Sequence, residues 1–255
     1  MRERLREIAA ETISIVERGG YDGADIAEAV AASVAGTRLY QPADPLPAFP
    51  GPATAIVEVT GESTLAAARR LGPGAASLNF ASARKPGGGF RNGAQAQEES
   101  LARSSALYPS LLAAGDFYAH QRSLLYTDRV IYSPGVPIIR DDSGTLLPEP
   151  YLTSFLTAAA PNRAMIARNE PAALPEVPAV LTRRATRVLA VAAAHGHRDL
   201  VLGAWGCGVF GNDPAEVAEA FAVALRAVPH FDLVVFAIFD RRDEMRAAFR
   251  ARFRG

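Results

Sequence analysis

The spacing of apolar and polar positions changes along this chain, and the changes divide it. Over residues 2–18, Leu5, Ile8, Ala9, Thr12, Ile15 and Val16 fall on one face at helical spacing, and Gly19-Gly20 ends the run. A second helix is expected over 23–35. Residues 41–53 (QPADPLPAFPGPA) hold five prolines and read as an irregular arm. From residue 54 short apolar runs alternate with longer helical ones. Strands are expected at 54–60 (TAIVEVT), 75–80 (AASLNF), 129–139 (broken by a Pro-Gly turn), 199–205 and 231–240. Helices are expected at 62–72, 93–112, 178–195, 213–228 and 241–253, and 141–150 (DDSGTLLPEP) reads as loop. Nearly continuous apolar strands alternating with helices describe an α/β fold whose sheet is covered on both faces. The division expected is a helical extension and Pro-rich arm over 1–53, packed on a main domain over 54–255.

Composition narrows the function classes. At 49% apolar and 21% charged, 255 residues can bury a substantial core. Net charge is zero, which removes any global case for coating nucleic acid or an anionic membrane. One cysteine, Cys207, excludes an intrachain disulfide framework and fits a reducing compartment. No apolar run reaches membrane-spanning length, and the charged start lacks a signal-peptide core. A cytosolic monomer without membrane or direct nucleic-acid partners is expected.

Two glycine loops carry the candidate chemistry. The first, KPGGGFRNGAQAQEES (85–100), joins a strand to a helix, where α/β folds place ligands. Gly87, Gly88 and Gly89 admit positive φ and let backbone N–H groups approach an anion. A flexible connection without a ligand would have the same composition. The second, GAWGCGVFGNDP (203–214), also runs from strand to helix. Asn212 or Asp213 can cap that helix, Pro214 suits its first turn, and the helix start favours phosphate. Gly206-Cys207-Gly208-Val209-Phe210-Gly211 satisfies the dinucleotide pattern G-x-G-x-x-G. That pattern expects an acid about 20 residues on, after the next strand; Asp240 ends that strand but lies about 30 residues beyond Gly211. Two such loops on neighbouring strands suggest a pyrophosphate gripped from both sides. Phe210 fits either a ring packed on a sugar or base or a plug beneath the loop.

Asn79-Phe80-Ala81-Ser82, then three glycines, then Gln97-Glu98-Glu99 after a seven-residue gap, resembles the signature of the bacterial-type poly(ADP-ribose) glycohydrolases of the macrodomain superfamily. The stretches RLREIAAETISIVERGGY and IVEVTGESTLAAARRL are similar to that subfamily too, and the second loop resembles the macrodomain diphosphate loop. One departure is visible: Gly61-Glu62 stands where macrodomains carry a Gly-Asp that holds adenine. The resemblance implies a macrodomain-like three-layer α/β/α sandwich with a mixed sheet. It implies a glycosidase that cleaves ribose–ribose O-glycosidic bonds of poly(ADP-ribose) and releases ADP-ribose, with ADP-ribosylated proteins as partners. By resemblance Glu99 is the general acid/base, Glu98 orients the ribose, and Gln97 supports the loop or a hydroxyl. Asn79 and Phe210 hold the terminal ribose, Gly87–Gly89, Gly206, Gly208, Val209 and Gly211 hold the diphosphate, and Phe239 borders adenine.

The chemistry is consistent with those residues, since glycoside cleavage needs a proton delivered to the leaving oxygen by a positioned acid. It calls for no metal or cofactor. His120, His195, His197 and His230 lack metal-ligand spacing with acids, and Cys207 has no evident base. Phe239 could equally belong to the apolar strand, and the arginines at 241, 242, 246, 250, 252 and 254 read first as a solvated helix face. The Pro-rich arm and the N-terminal helices, if they close the site beyond the terminal ribose, favour exo cleavage. A non-catalytic ADP-ribose reader keeps both loops but leaves the paired glutamates idle. A Rossmann oxidoreductase leaves the first loop unexplained.

Overall fold

The computed structural model describes residues 1–52, 55–119, 123–240 and 243–254. The expected boundary at 53/54 lies outside them, as do His120, Arg241 and Arg242. In chain order the elements are α1 (Arg2–Arg18), a small hairpin β1 (Gly20–Tyr21) and β2 (Ala24–Asp25), α2 (Ala27–Gly36), β3 (Arg38–Tyr40), β4 (Ile56–Thr60), α3 (Thr64–Leu71), β5 (Ala76–Phe80), α4 (Gln97–Ser104) and α5 (Leu107–Ala113). There follow β6 (Val130–Arg140), β7 (Leu146–Ala158), α6 (Arg163–Asn169), α7 (Val177–Ala194), β8 (Asp199–Leu202), α8 (Pro214–Ala227), β9 (Leu233–Ala237) and α9 (Glu244–Phe253).

Seven strands form one mixed sheet in the order β3-β6-β7-β5-β8-β9-β4. β7, β5, β8, β9 and β4 are parallel neighbours, and β6 runs against both β7 and β3. Alternation along each strand sends side chains to two cores. Leu78, Leu200, Leu202, Val234 and Phe236 pack with α7 and α8 residues such as Leu181, Val188, Phe221 and Leu225. On the opposite face Phe155, Ile131 and Val136 meet Leu101, Leu107 and Leu111 of α4 and α5, while Val201 and Val235 meet Ala67 and Ala68 of α3. The result is the three-layer sandwich expected.

Three expectations needed correction. The helix expected over 93–112 is two, because Ser105 bridges to Ile138 and its hydroxyl takes the Leu107 N–H and donates to the Leu101 carbonyl. The Pro-Gly of 134–135 makes no turn; it is a bulge between Ser133 and Val136 in a strand that continues to Arg140. Residues 146–150, read as loop, begin the long strand β7. Pro148 and Pro150 precede the stretch that pairs with β5, so their missing N–H groups break no ladder on that side.

The N-terminal segment is built into this framework. β3 extends the sheet through β6. Arg140, buried in β6, reaches α1 through Glu11 (2.6 Å) and Thr12 (2.9 Å). The Pro-rich arm lies elsewhere than expected. Arg187 of α7 holds the carbonyl of Gln41, and Phe49 packs on His230 at 5.3 Å, just before β9 begins. That is the amino end of the parallel strands, opposite the loops of interest.

Candidate active site

At the carboxyl end of β5 the start of α4 is tied down by a side-chain amide. Gln97 Oε1 accepts the Phe80 N–H at 2.9 Å, and Nε2 donates to the Leu78 carbonyl at 2.8 Å and to Thr64 Oγ1 at 3.1 Å. Both amide hydrogens are thus occupied by protein. Gln97 splices strand to helix, and the next two residues inherit fixed directions.

Glu98 turns inward and is 2% exposed. Its Oε2 accepts the Ser82 N–H at 2.6 Å, and Oε1 lies 3.4 Å from Asn79 Nδ2. Asn79, the penultimate residue of β5, is fully buried and donates also to Thr157 Oγ1 at 3.1 Å; its own Oδ1 has no partner among the described residues. Burial pushes the Glu98 carboxyl up to about 8; the Ser82 N–H opposes the rise and the Glu99 charge adds to it. Folded Glu98 therefore keeps a proton that the unfolded chain releases above about 4.5. Stability should fall as pH rises from about 4.5 to about 8, by up to ~1.4 kcal/mol per pH unit from this group. Chemical denaturation across that range should show the slope in wild type and lose most of it in Glu98→Gln. An unchanged slope in the variant would assign the dependence to another group.

Glu99 meets the glycine loop one residue further on, at Gly89. Its Oε1 accepts the Gly89 N–H at 3.0 Å, and its Oε2 is buried without a partner among the described residues. Gly87 and Gly88 sit at φ +66° and +59°, in the left-handed region. A Cβ on Gly88 would lie 2.4 Å from Glu99 Oε1 and 3.1 Å from Glu98 Oε2. The triple glycine and the paired acids form one constellation: at Gly88 the carboxyl groups occupy the space a side chain would need, while at Gly87 the Phe90 ring does.

The second loop follows β8. Asn212 Nδ2 donates to the Pro161 carbonyl at 2.9 Å and holds the loop at Gly206, whose φ of +72° and lack of Cβ allow Asn212 to pass. Asp213, rather than Asn212, caps α8 through the N–H groups of Ala215 and Glu216. Gly211 closes the turn by donating to the Gly208 carbonyl. The N–H groups of Gly208, Val209 and Phe210 meet no acceptor among the described residues. They crown the turn, with Val209 83% exposed. The chain meets here the requirement for an anion cradle.

A cavity of about 810 Å³ runs beside both features. Its wall includes Phe80, Gln97 and Ser100 on one side and Gly206, Gly208, Val209 and Phe210 on another, with Ile238, Phe239 and Met245 toward β9. Glu98, Glu99, Asn79, Gly211 and the three glycines do not line it; Gln97 and Ser100, which flank the glutamates, do. Phe210 is half-buried, 6.0 Å from the Tyr126 ring. The strand expected to reach residue 240 stops at Ala237, so Phe239 escapes the core and stands 76% exposed on the cavity wall.

Other candidates take structural places. His195 and His197 meet the hydroxyls of Tyr40 and Tyr132 at 2.8 and 2.9 Å. Burial pushes the Cys207 thiol up to about 12. Glu62 forks onto Arg70 and takes no part in the cavity wall. Arg246 and Arg250 pair with Asp243, and Arg252 with Glu219. Ser82, Thr157, Tyr118 and Tyr126 had not been singled out by role. Ser82 stands inside the recognised motif, but Thr157 lies on the unread strand β7. Tyr118 presents a buried hydroxyl, without a partner among the described residues, whose pKa is raised by burial and by Glu98. Tyr126 holds φ +59°, a strained value for a side chain of its size.

The family model for the microbial-type poly(ADP-ribose) glycohydrolase (PARG) catalytic domain matches residues 9–141. No match is found among curated proteins. Among solved structures, the poly(ADP-ribose) glycohydrolase of Thermomonospora curvata is 52% identical with a TM-score of 0.91, over 99% of this chain and all of that one. The same protein bound to the inhibitor ADP-HPD gives a TM-score of 0.88 at equal identity and coverage. The Deinococcus radiodurans glycohydrolase in complex with ADP-ribose is 46% identical with a TM-score of 0.80, over 88% of this chain and 96% of that one. On the glycine-clasped glutamates, the fold around them and these matches together, the chain belongs to the microbial-type poly(ADP-ribose) glycohydrolases.

Proposed function

We propose that this glycosidase hydrolyses the ribose–ribose bonds of poly(ADP-ribose) from chain ends, with Glu99 as general acid and base. The observation that carries the residue assignment is the Glu99 carboxyl itself. One oxygen is held by the Gly89 N–H, and the other is buried without a partner among the described residues. A carboxyl group with one oxygen fixed and the other idle, next to the cavity-lining Ser100, is suited to give a proton to a departing hydroxyl and take one back from water.

The neighbours supply positioning. The free N–H groups of Gly208, Val209 and Phe210 are suited to the diphosphate, and the exposed ring of Phe239 to the adenine face. Asn79 Oδ1, buried and unpaired, can accept a ribose hydroxyl, and protonated Glu98 can donate to one. The first glycine loop then serves the carboxyl groups more than the phosphates. The α1 helix lies next to the turn after the glycines, where Arg2 Nε donates to the Asn92 carbonyl at 3.0 Å. The Pro-rich arm has no part in it. ADP-ribosylated proteins are the partners this reading implies.

Incubation with polymer of defined length, followed by chromatography, tests the proposal. Accumulation of ADP-ribose from the first time points supports exo hydrolysis. Short oligomers appearing first overturn the exo claim, and binding without cleavage overturns the hydrolase. Within this reading Phe210→Ala should lower kcat about tenfold or more while the Kd for ADP-ribose changes less, because the ring orients the reacting sugar. Equal losses in both would make Phe210 an affinity contact only.

A further inference from the structure

Arg103 is a charged residue that the site described above does not use. It lies on α4 one turn after Glu99, is 6% exposed, and among the described residues pairs with no carboxylate. A buried guanidinium without an ion pair is unusual, because desolvating a charge is unfavourable unless something holds it. Burial lowers its pKa, and the charge acting on it in the opposite direction is Glu99.

Its hydrogen bonds show what it holds. Nη1 donates to the Ala94 carbonyl, in the segment between the triple glycine and α4. Nη2 reaches Ser100 Oγ at 3.3 Å, the cavity-lining residue after Glu99. The fork therefore joins the exit of the glycine loop to the first turn of the catalytic helix, across the two residues whose mutual geometry fixes Glu99. The other side of Arg103 is anchored too: Thr12 of α1 donates to its carbonyl at 2.6 Å, and Thr12 in turn receives Arg140 Nε. Glu preceding Arg by four residues on a helix is also the favourable order for the two charges.

We propose that Arg103 is a positioning residue for Glu99: its guanidinium locks the Ala94 carbonyl and Ser100 to each other and sets a buried positive charge one helical turn after Glu99. The inference rests on the assignment of Glu99 as the acid. Its action is confined to the chemical step, so it separates turnover from affinity.

The test compares Arg103→Met and Arg103→Lys with wild type, reading kcat for ADP-ribose release and the calorimetric Kd for ADP-ribose. The expected result is a kcat about 100-fold lower in Arg103→Met with Kd within about threefold, and a smaller loss in Arg103→Lys, which keeps the charge but not the planar fork. Methylguanidinium added to Arg103→Ala should restore part of the rate by refilling the place of the planar fork. Wild-type kcat in Arg103→Met, or kcat and Kd lost in parallel, overturns the proposal. Should Arg103→Met fail to fold, Arg103→Lys decides alone, and wild-type kcat there overturns it. Glu99→Gln measured alongside separates the two failures. If that variant still cleaves, the acid assignment falls; if it is inactive while Arg103→Met is fully active, only the role of Arg103 falls.

Discussion

Glu99→Gln should reduce ADP-ribose release from polymer by about 10²–10⁴-fold, the range a positioned general acid/base contributes. The substitution is close to isosteric, and the Gly89 N–H can still donate to the amide oxygen that replaces Oε1. The loop geometry should therefore survive. The variant loses the oxygen that can carry a proton to the leaving group and withdraw one from water. Those interactions belong to the transition state, so kcat should fall while ADP-ribose binding at the 206–210 loop persists. Chromatography of the products and calorimetry of ADP-ribose binding give the two numbers. Release within tenfold of wild type would remove Glu99 from the chemistry, and loss of binding with modest loss of rate would make it a substrate ligand. Glu98 is not an equivalent acid despite its adjacency. Both carboxyl groups reach the glycine loop, but their partners differ: Glu98 is buried against Ser82 and Asn79, and burial pushes its carboxyl up to about 8, while Glu99 takes the Gly89 N–H.

Much of this arrangement was legible because it is local. The triple glycine, the seven-residue gap and Gln97-Glu98-Glu99 lie within one strand–loop–helix unit, and the short range of the contacts makes spacing informative. Gly87 and Gly88 do adopt positive φ, and the Asp213-Pro214 start of α8 does carry a side-chain cap. Legibility fails where a residue's place depends on distant chain. The strand β7 was unread because Pro148 and Pro150 look like loop residues; only the sheet order shows that their side of the strand faces no β5 partner. Thr157, which orients Asn79, went unseen with it. The continuously apolar 231–240 hid the end of β9 at Ala237, and with it the exposure of Phe239. The segment before residue 54 looked peripheral because its helices precede a Pro-rich arm. Only tertiary contacts show Thr12 and Arg2 bracing the loop and helix that carry the acid. The arm itself folds to the opposite end, a placement set by Arg187 and His230, which are far away in sequence.

Gly88→Ala should be the most damaging change outside the acids themselves. Two effects add. Backbone at φ +59° disfavours any residue with a Cβ, at about 1–2 kcal/mol. The new methyl would also stand 2.4 Å from Glu99 Oε1, closer than any real contact, so the carboxylate must leave its bond to the Gly89 N–H or the loop must swing away. A displacement of an ångström at the reacting group is enough to reduce kcat on the order of 10²-fold. Gly23→Ala isolates the first effect. Gly23 has φ +84°, but nothing lies within 4 Å of its added Cβ. Denaturation midpoints should drop in both variants, while kcat should collapse only in Gly88→Ala. The Kd for ADP-ribose should hold in each if the 206–210 loop carries the binding proposed for it, because that loop is untouched. Wild-type turnover in Gly88→Ala would mean that the carboxylate can be displaced without consequence, and the geometry of the Glu99 clasp would then have no part in the reaction.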